Sequence, residues 1–105
     1  MKLRTTAHAY AKLNALWAHL FEVNRFAAKR LREQVARSLG RLRTFPLLGS
    51  QVAEFPASPI RQVIVEPYRF FYYIEERTKT IWLVDVWHGA QIPAYPSLPQ
   101  PSAPR

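Results

Sequence analysis

Two dense runs of aromatic and β-branched residues, YRFFYYIEE at 68–76 and TIWLVDVWH at 80–88, are joined by the polar bend ERTKT. Side chains of this type favour the pleated, half-buried surface of a sheet, so the pair reads as two strands of a hairpin. Period two sets Tyr68, Phe70, Tyr72 and Ile74 on one face of the first strand and Arg69, Phe71 and Tyr73 on the other. In the second strand it sets Ile81, Leu83, Asp85 and Trp87 against Trp82, Val84, Val86 and His88. Both faces are largely apolar, which rules out a sheet with one side fully in water. Something must cover one side, and the other is expected to be partly covered or concave.

Upstream, IRQVIVE (60–66) reads as a further strand, interrupted by Pro67. The cover is encoded earlier in the chain. From Thr6 to Phe21, the residues Tyr10, Leu13, Trp17 and Leu20 recur at three- and four-residue steps, the spacing of one helical stripe. Asn24 suits the N-cap of a second helix, along which Ala27, Leu31, Val35, Leu39 and Leu42 repeat to about Arg43. Pro46 and Gly49 in TFPLLGS end it. With so short a link the two helices should form an antiparallel hairpin that lies on the sheet. KLRT (2–5) is a candidate short strand before the first helix.

At 105 residues the chain is the size of one domain and needs no staple to hold a core. It contains no cysteine, which excludes disulfides, thiolate zinc sites and a cysteine nucleophile. No apolar run approaches the roughly 20 residues of a membrane span, and the N-terminus lacks a signal-like apolar stretch, so a soluble cytoplasmic protein without membrane contact is expected. No metal or cofactor is expected either. The net charge of +8 is unevenly placed: residues 1–44 hold ten of the fifteen Lys and Arg against Glu22 and Glu33 alone. On the second helix Arg30, Arg37 and Arg41 cluster beyond one edge of the apolar arc, and Arg25, Arg32 and Arg43 beyond the other. Such a surface suits an acidic partner, either nucleic acid or an acidic protein segment; a solvated helix face accounts for it equally well. The final stretch, 93–105, holds five prolines and reads as a separate extended or disordered tail after a domain spanning 1–92.

Four patches in order resemble the RelE/ParE toxin superfamily, the toxin half of bacterial type II toxin–antitoxin pairs that include plasmid stabilisation proteins. They are AHAYAKLNALWAHL, then NRFAAKRLREQVARSLGRLRTFPLLGS with Leu42, Pro46 and Gly49, then IRQVIVEPYRFFYYI, and finally IWLVDVWHGAQ with its terminal His-Gly. Together they span residues 6 to about 92. The resemblance implies an α+β domain, an antiparallel helix hairpin packed on a small twisted antiparallel β-sheet. It also implies growth inhibition neutralised by a cognate antitoxin with an acidic, partly disordered segment. Charge asymmetry independently suits that partner, with Arg30, Arg37 and Arg41 as the candidate partner-binding residues.

Members of the superfamily divide into RelE-like proteins, which cleave mRNA on the ribosome, and ParE-like proteins, which poison DNA gyrase. Cleavage requires cations around a scissile phosphate and a proton-transfer group, so that a 2′-hydroxyl can attack while the developing charge is stabilised. If this chain were RelE-like, Arg61, Arg69 and His88 would form its catalytic set. Gln62 and Ile64 stand where that pattern has basic residues, and Ala90-Gln91 where it has an arginine after the last strand. Such gaps favour the ParE-like, non-enzymatic branch. A ribosome-dependent endoribonuclease is the alternative, and a basic nucleic-acid-binding module without toxicity is a third reading. Plain structural roles compete with each of these: His88 as a strand-end packing residue, and Arg69 as the ion-pair partner of Asp85 or Glu66.

Overall fold

A computed structural model describes residues 1–89. In chain order these form β1 (Lys2–Thr5), α1 (Ala7–Val23), α2 (Arg25–Leu42), β2 (Ser50–Gln51), β3 (Arg61–Val65), β4 (Tyr68–Glu75) and β5 (Thr80–His88). The domain expected over 1–92 is therefore described to Gly89, and the Pro-rich 93–105 lies outside the described residues.

Local chemistry explains both helix starts. The Thr6 hydroxyl accepts the Ala9 amide at 3.2 Å, and the Asn24 carboxamide accepts the Ala27 amide at 3.1 Å. Each side chain satisfies a first-turn N–H that has no partner within its helix. Asn24 is in extended backbone, so this one residue ends α1 and begins α2. The helices fold back on each other and pack on one side of the sheet, α1 over β5 and α2 over β3.

The strands order as β1-β5-β4-β3-β2. β2 to β5 pair antiparallel, as expected, but β1 runs parallel to β5, with Lys2 opposite Thr80 and Thr5 opposite Leu83, so the sheet is mixed. The reason is topological. β1 precedes the helix hairpin and joins the free edge of a strand formed some 80 residues later, a pairing that no local pattern encodes. β2 was likewise not signalled, being only two residues long.

Both faces of the sheet are buried. On the helix side Ala9, Val35, Leu39 and Leu42 meet Phe70, Tyr72, Ile81, Leu83 and Val86. On the far side Phe71, Trp82 and Val84 are covered by Val52 and Ile60, with Phe55 beside them, from the segment between α2 and β3. Three expectations about faces shift. Tyr10 stands 61% exposed on α1, where Ala9, Leu13, Leu16 and Trp17 carry the packing. Ala28 rather than Ala27 enters the core of α2. On β5, Val84 is an extra residue in the ladder: Leu83 lies opposite Tyr72 and Asp85 opposite Phe71. Such a bulge reverses the alternation downstream, so Val86 joins the helix-side core and Trp87 the far side.

Candidate binding surface

Arg69 stands on β4 opposite Ile64 and Trp87, on the face away from the helices. It is 8% exposed, and each of its three nitrogens donates a hydrogen bond. The two terminal nitrogens grip the Glu54 carboxylate at 3.0 and 2.8 Å, and Nε donates to Gln62 Oε1 at 2.8 Å. The guanidinium also lies 5.2 Å from the centre of the Phe71 ring. Those Arg69 hydrogen bonds, helped by Glu54's own backbone amide, hold the Glu54 carboxyl below the usual carboxylate range, while partial desolvation pulls the other way. The ion-pair partner of Arg69 is thus Glu54, neither Asp85 nor Glu66. No sequence periodicity links Glu54 to it, because Glu54 arrives from the loop between β2 and β3.

Arg61 is opposite Tyr72, and Gln62 opposite Phe71. Alternation therefore places Arg61 on the opposite face of the sheet from Arg69. There it clamps the turn after α2, with Nε and NH2 donating to the Gly49 carbonyl at 3.1 and 2.6 Å and NH2 also reaching Leu47 O at 3.3 Å. The same turn is held by the buried Tyr72 hydroxyl, which donates to Pro46 O at 2.7 Å and accepts from Gly49 N at 3.0 Å. A Cβ on Gly49 would sit 2.4 Å from Gln62 O, so the close approach requires glycine.

His88 ends β5, exposed, with its ring edge-on to Tyr68 at 5.5 Å between centroids. His88 and Arg69 line one shallow cleft together with Glu54, Gln62, Ile64 and Glu66. The cleft thus brings together two of the three candidate catalytic residues and excludes Arg61, and it contains two carboxylates as well as the two basic side chains.

Asp85, 5% exposed, is satisfied elsewhere. Lys12 Nζ lies 2.7 Å from Oδ1 and His8 Nε2 lies 3.3 Å from it, while Trp87 Nε1 donates to Oδ2 at 3.0 Å. β1 leaves β5 at Leu83 and α1 begins there, so Lys12 reaches the flank of β5 and also stands 4.3 Å from the centre of the Trp87 ring. This cluster was not legible in the sequence beyond the need of a buried aspartate for partners. Next to it a groove of about 720 Å³ runs between α1 and β5, walled by Leu16, Tyr68, Val86 and Trp87 with His19 and His88 at its rim.

The α2 arginines differ from those on the sheet. Arg30, Arg37 and Arg41 are all exposed. No ion pair holds them among the described residues. Arg37 and Arg41, with Gln34 and Ser38, wall a groove of about 400 Å³ against Ile64, Val65 and Glu66 at the margin of β3. Arg30 lies on the same stripe about 10 Å further along the axis. Among the described residues no three His, Asp or Glu side chains are grouped to hold a metal ion, and no helix is long and apolar enough to cross a membrane.

Comparison with known proteins agrees with this architecture. A chain of the chromosomal ParDE TA system from P. aeruginosa superposes with a TM-score of 0.67 at 17% identity, over 84% of this chain and 95% of that one. Among curated proteins none matches by sequence. The family described as "ParE toxin of type II toxin-antitoxin system, parDE" matches residues 3–93, most of the chain. This protein belongs to the ParE toxin family of type II toxin–antitoxin systems.

Proposed function

We propose that this toxin arrests growth by binding DNA gyrase rather than by cleaving RNA, and that a cognate antitoxin with an acidic, partly disordered segment neutralises it. One observation carries the preference: the cations that phosphodiester cleavage would require are already spent within the fold. Arg69 donates three hydrogen bonds to Glu54 and Gln62 and is ion-paired with Glu54, and Arg61 is tied to backbone carbonyls on the other face. A scissile phosphate approaching the cleft would meet the Glu54 and Glu66 carboxylates along with Arg69. Breaking the Arg69 pair to free its guanidinium leaves a buried charge without its partner, a cost that opposes transition-state stabilisation. The antitoxin reading rests on the family match, on the ParDE neighbour and on the open α2 arginines.

The ribonuclease alternative retains one observation in its favour, the shared cleft of Arg69 and His88. Induced expression in a bacterial host separates the two readings, with mRNA 5′ ends mapped and gyrase–DNA complexes trapped from the same culture. Trapped complexes with intact transcripts are expected. Codon-phased breaks that vanish in His88→Ala, an exposed position, while the variant keeps the unfolding midpoint of the parent, would assign the ribonuclease instead. Unimpaired growth would remove toxicity from this chain and leave only a basic binding module.

A further inference from the structure

Beyond β5 the sequence carries a period of three. In AQIPAYPSLPQPSAPR, residues 90–105, the apolar Ile92, Tyr95 and Leu98 stand three apart, and each is followed by a proline, Pro93, Pro96 and Pro99. A residue that precedes proline is driven from the helical region into extended or polyproline II backbone. Polyproline II has three residues per turn, so that conformation sets Ile92, Tyr95 and Leu98 in one row with steps of about 9 Å. From Ala90 to Pro104 the sequence has no charge. Burying the row in an apolar groove therefore desolvates no ionised side chain.

A groove of that kind lies where the described residues stop. Trp87 and His88 belong to the wall of the groove between α1 and β5, and Gly89 follows, its amide donating to Pro67 O at 2.6 Å. On the helix side the wall runs from Lys12 through Ala15 and Leu16 to His19, about 10 Å at the rise of an α-helix. One step of the apolar row matches this length. Ile92 is three residues past Gly89, within reach of the groove over about 10 Å of extended chain. Tyr68, Trp87 and His88 add the aromatic faces on which proline-rich segments dock.

We propose that this groove is the docking site of the chain's own Pro-rich segment, with Ile92 and Tyr95 seated between α1 and the end of β5. Tethering selects this occupant, because so short a link holds the segment at an effective concentration on the order of millimolar, where even a weak contact is populated. An acidic segment finds less here than at the open α2 arginines, since Lys12 in the wall is already committed to Asp85 at 2.7 Å. Docking requires neither the gyrase reading nor the antitoxin reading.

The test uses the full chain. It has no cysteine, so Ser97→Cys accepts a single nitroxide label at a position off the Ile92, Tyr95 and Leu98 row. Amide NMR, with the chemically reduced label as reference, reads which surface the label approaches. Signals of residues 15–19 and of the Trp87 indole should lose more than about half their intensity, while Ser50 and Gln51 at the far margin of the sheet keep theirs. The double variant Ile92→Ser/Tyr95→Ser should abolish the loss. So should Ala15→Arg, which fills the groove from an exposed helix position. Both should leave the β2 and β3 signals unchanged, which establishes that the fold is intact. A mixture of labelled chain with unlabelled, isotope-enriched chain should show no loss. Loss spread evenly over the surface, loss that survives both variants, or loss in the mixture, where the label sits on a second copy, would overturn the assignment.

Discussion

Arg69 and Arg37 carry the same guanidinium into opposite circumstances. The first is 8% exposed and held by three hydrogen bonds from a loop and a neighbouring strand; the second stands in water on a helix stripe with no ion pair among the described residues. A buried arginine with its donors satisfied organises the fold, because its charge is cancelled before any ligand arrives. An exposed one contributes little to stability but keeps its charge for association. Net charge alone hides this division. Of the basic residues that sequence reasoning singled out, Arg69 lies in the first class and Arg30, Arg37 and Arg41 in the second, while half-buried Arg61 stands between them, held by neutral backbone carbonyls.

The contrast can be broken most severely at the turn that Arg61 clamps. Gly49→Ala forces a Cβ against the Gln62 carbonyl and the buried Tyr72 ring. It should destabilise the protein by about 3 kcal/mol in urea unfolding, the upper range for overpacking. Arg69→Ala comes next. Loss of its buried stem and hydrogen bonds should cost roughly 2 kcal/mol, which would show as a lowered denaturation midpoint. If Arg69 were instead a spare catalytic cation, the same variant would keep its stability and lose only RNA cleavage.

Acid sharpens the comparison through the partner of Arg69. The Glu54 pKa lies below its ordinary value of 4.5, so near that pH the unfolded chain binds more protons at this carboxyl than the folded one. Stability therefore rises with pH through the window; the contribution is complete above about pH 5 and is lost as acid titrates the folded carboxylate. Glu54→Gln should flatten this part of the stability–pH curve. The part due to Glu75 should remain, since that carboxyl is also lowered, by the Thr78 hydroxyl and then by Trp82 Nε1. The smallest expected effect belongs to the open arginines. Arg37→Ala and Arg41→Ala should each change stability by less than about 0.5 kcal/mol. Together they should weaken antitoxin association and reduce its salt dependence, as measured by titration at two ionic strengths. A large stability loss in either would move that residue into the structural class.

Local signals were legible wherever a residue acts on its near neighbours. Asn24 could be read as a cap because a cap bonds three residues ahead, and the hairpin of β4 and β5 because apolar alternation surrounds a polar bend. By the same logic the helix pair, the end of α2 before Pro46 and the α+β class followed from period and punctuation. The charge imbalance that points to an acidic partner is likewise a property of sequence alone. Tertiary structure decided whatever depends on distant segments meeting. It placed β1 parallel beside β5, and it brought Glu54 to Arg69 and Lys12 to Asp85. A single inserted residue, Val84, exchanged the faces of Val86 and Trp87, because alternation carries no memory across a bulge. Residue types thus set which elements form, whereas the function left to each arginine was set by what the fold placed within reach of its guanidinium, and hydrogen bonding over 3 Å is a property of space rather than of sequence order.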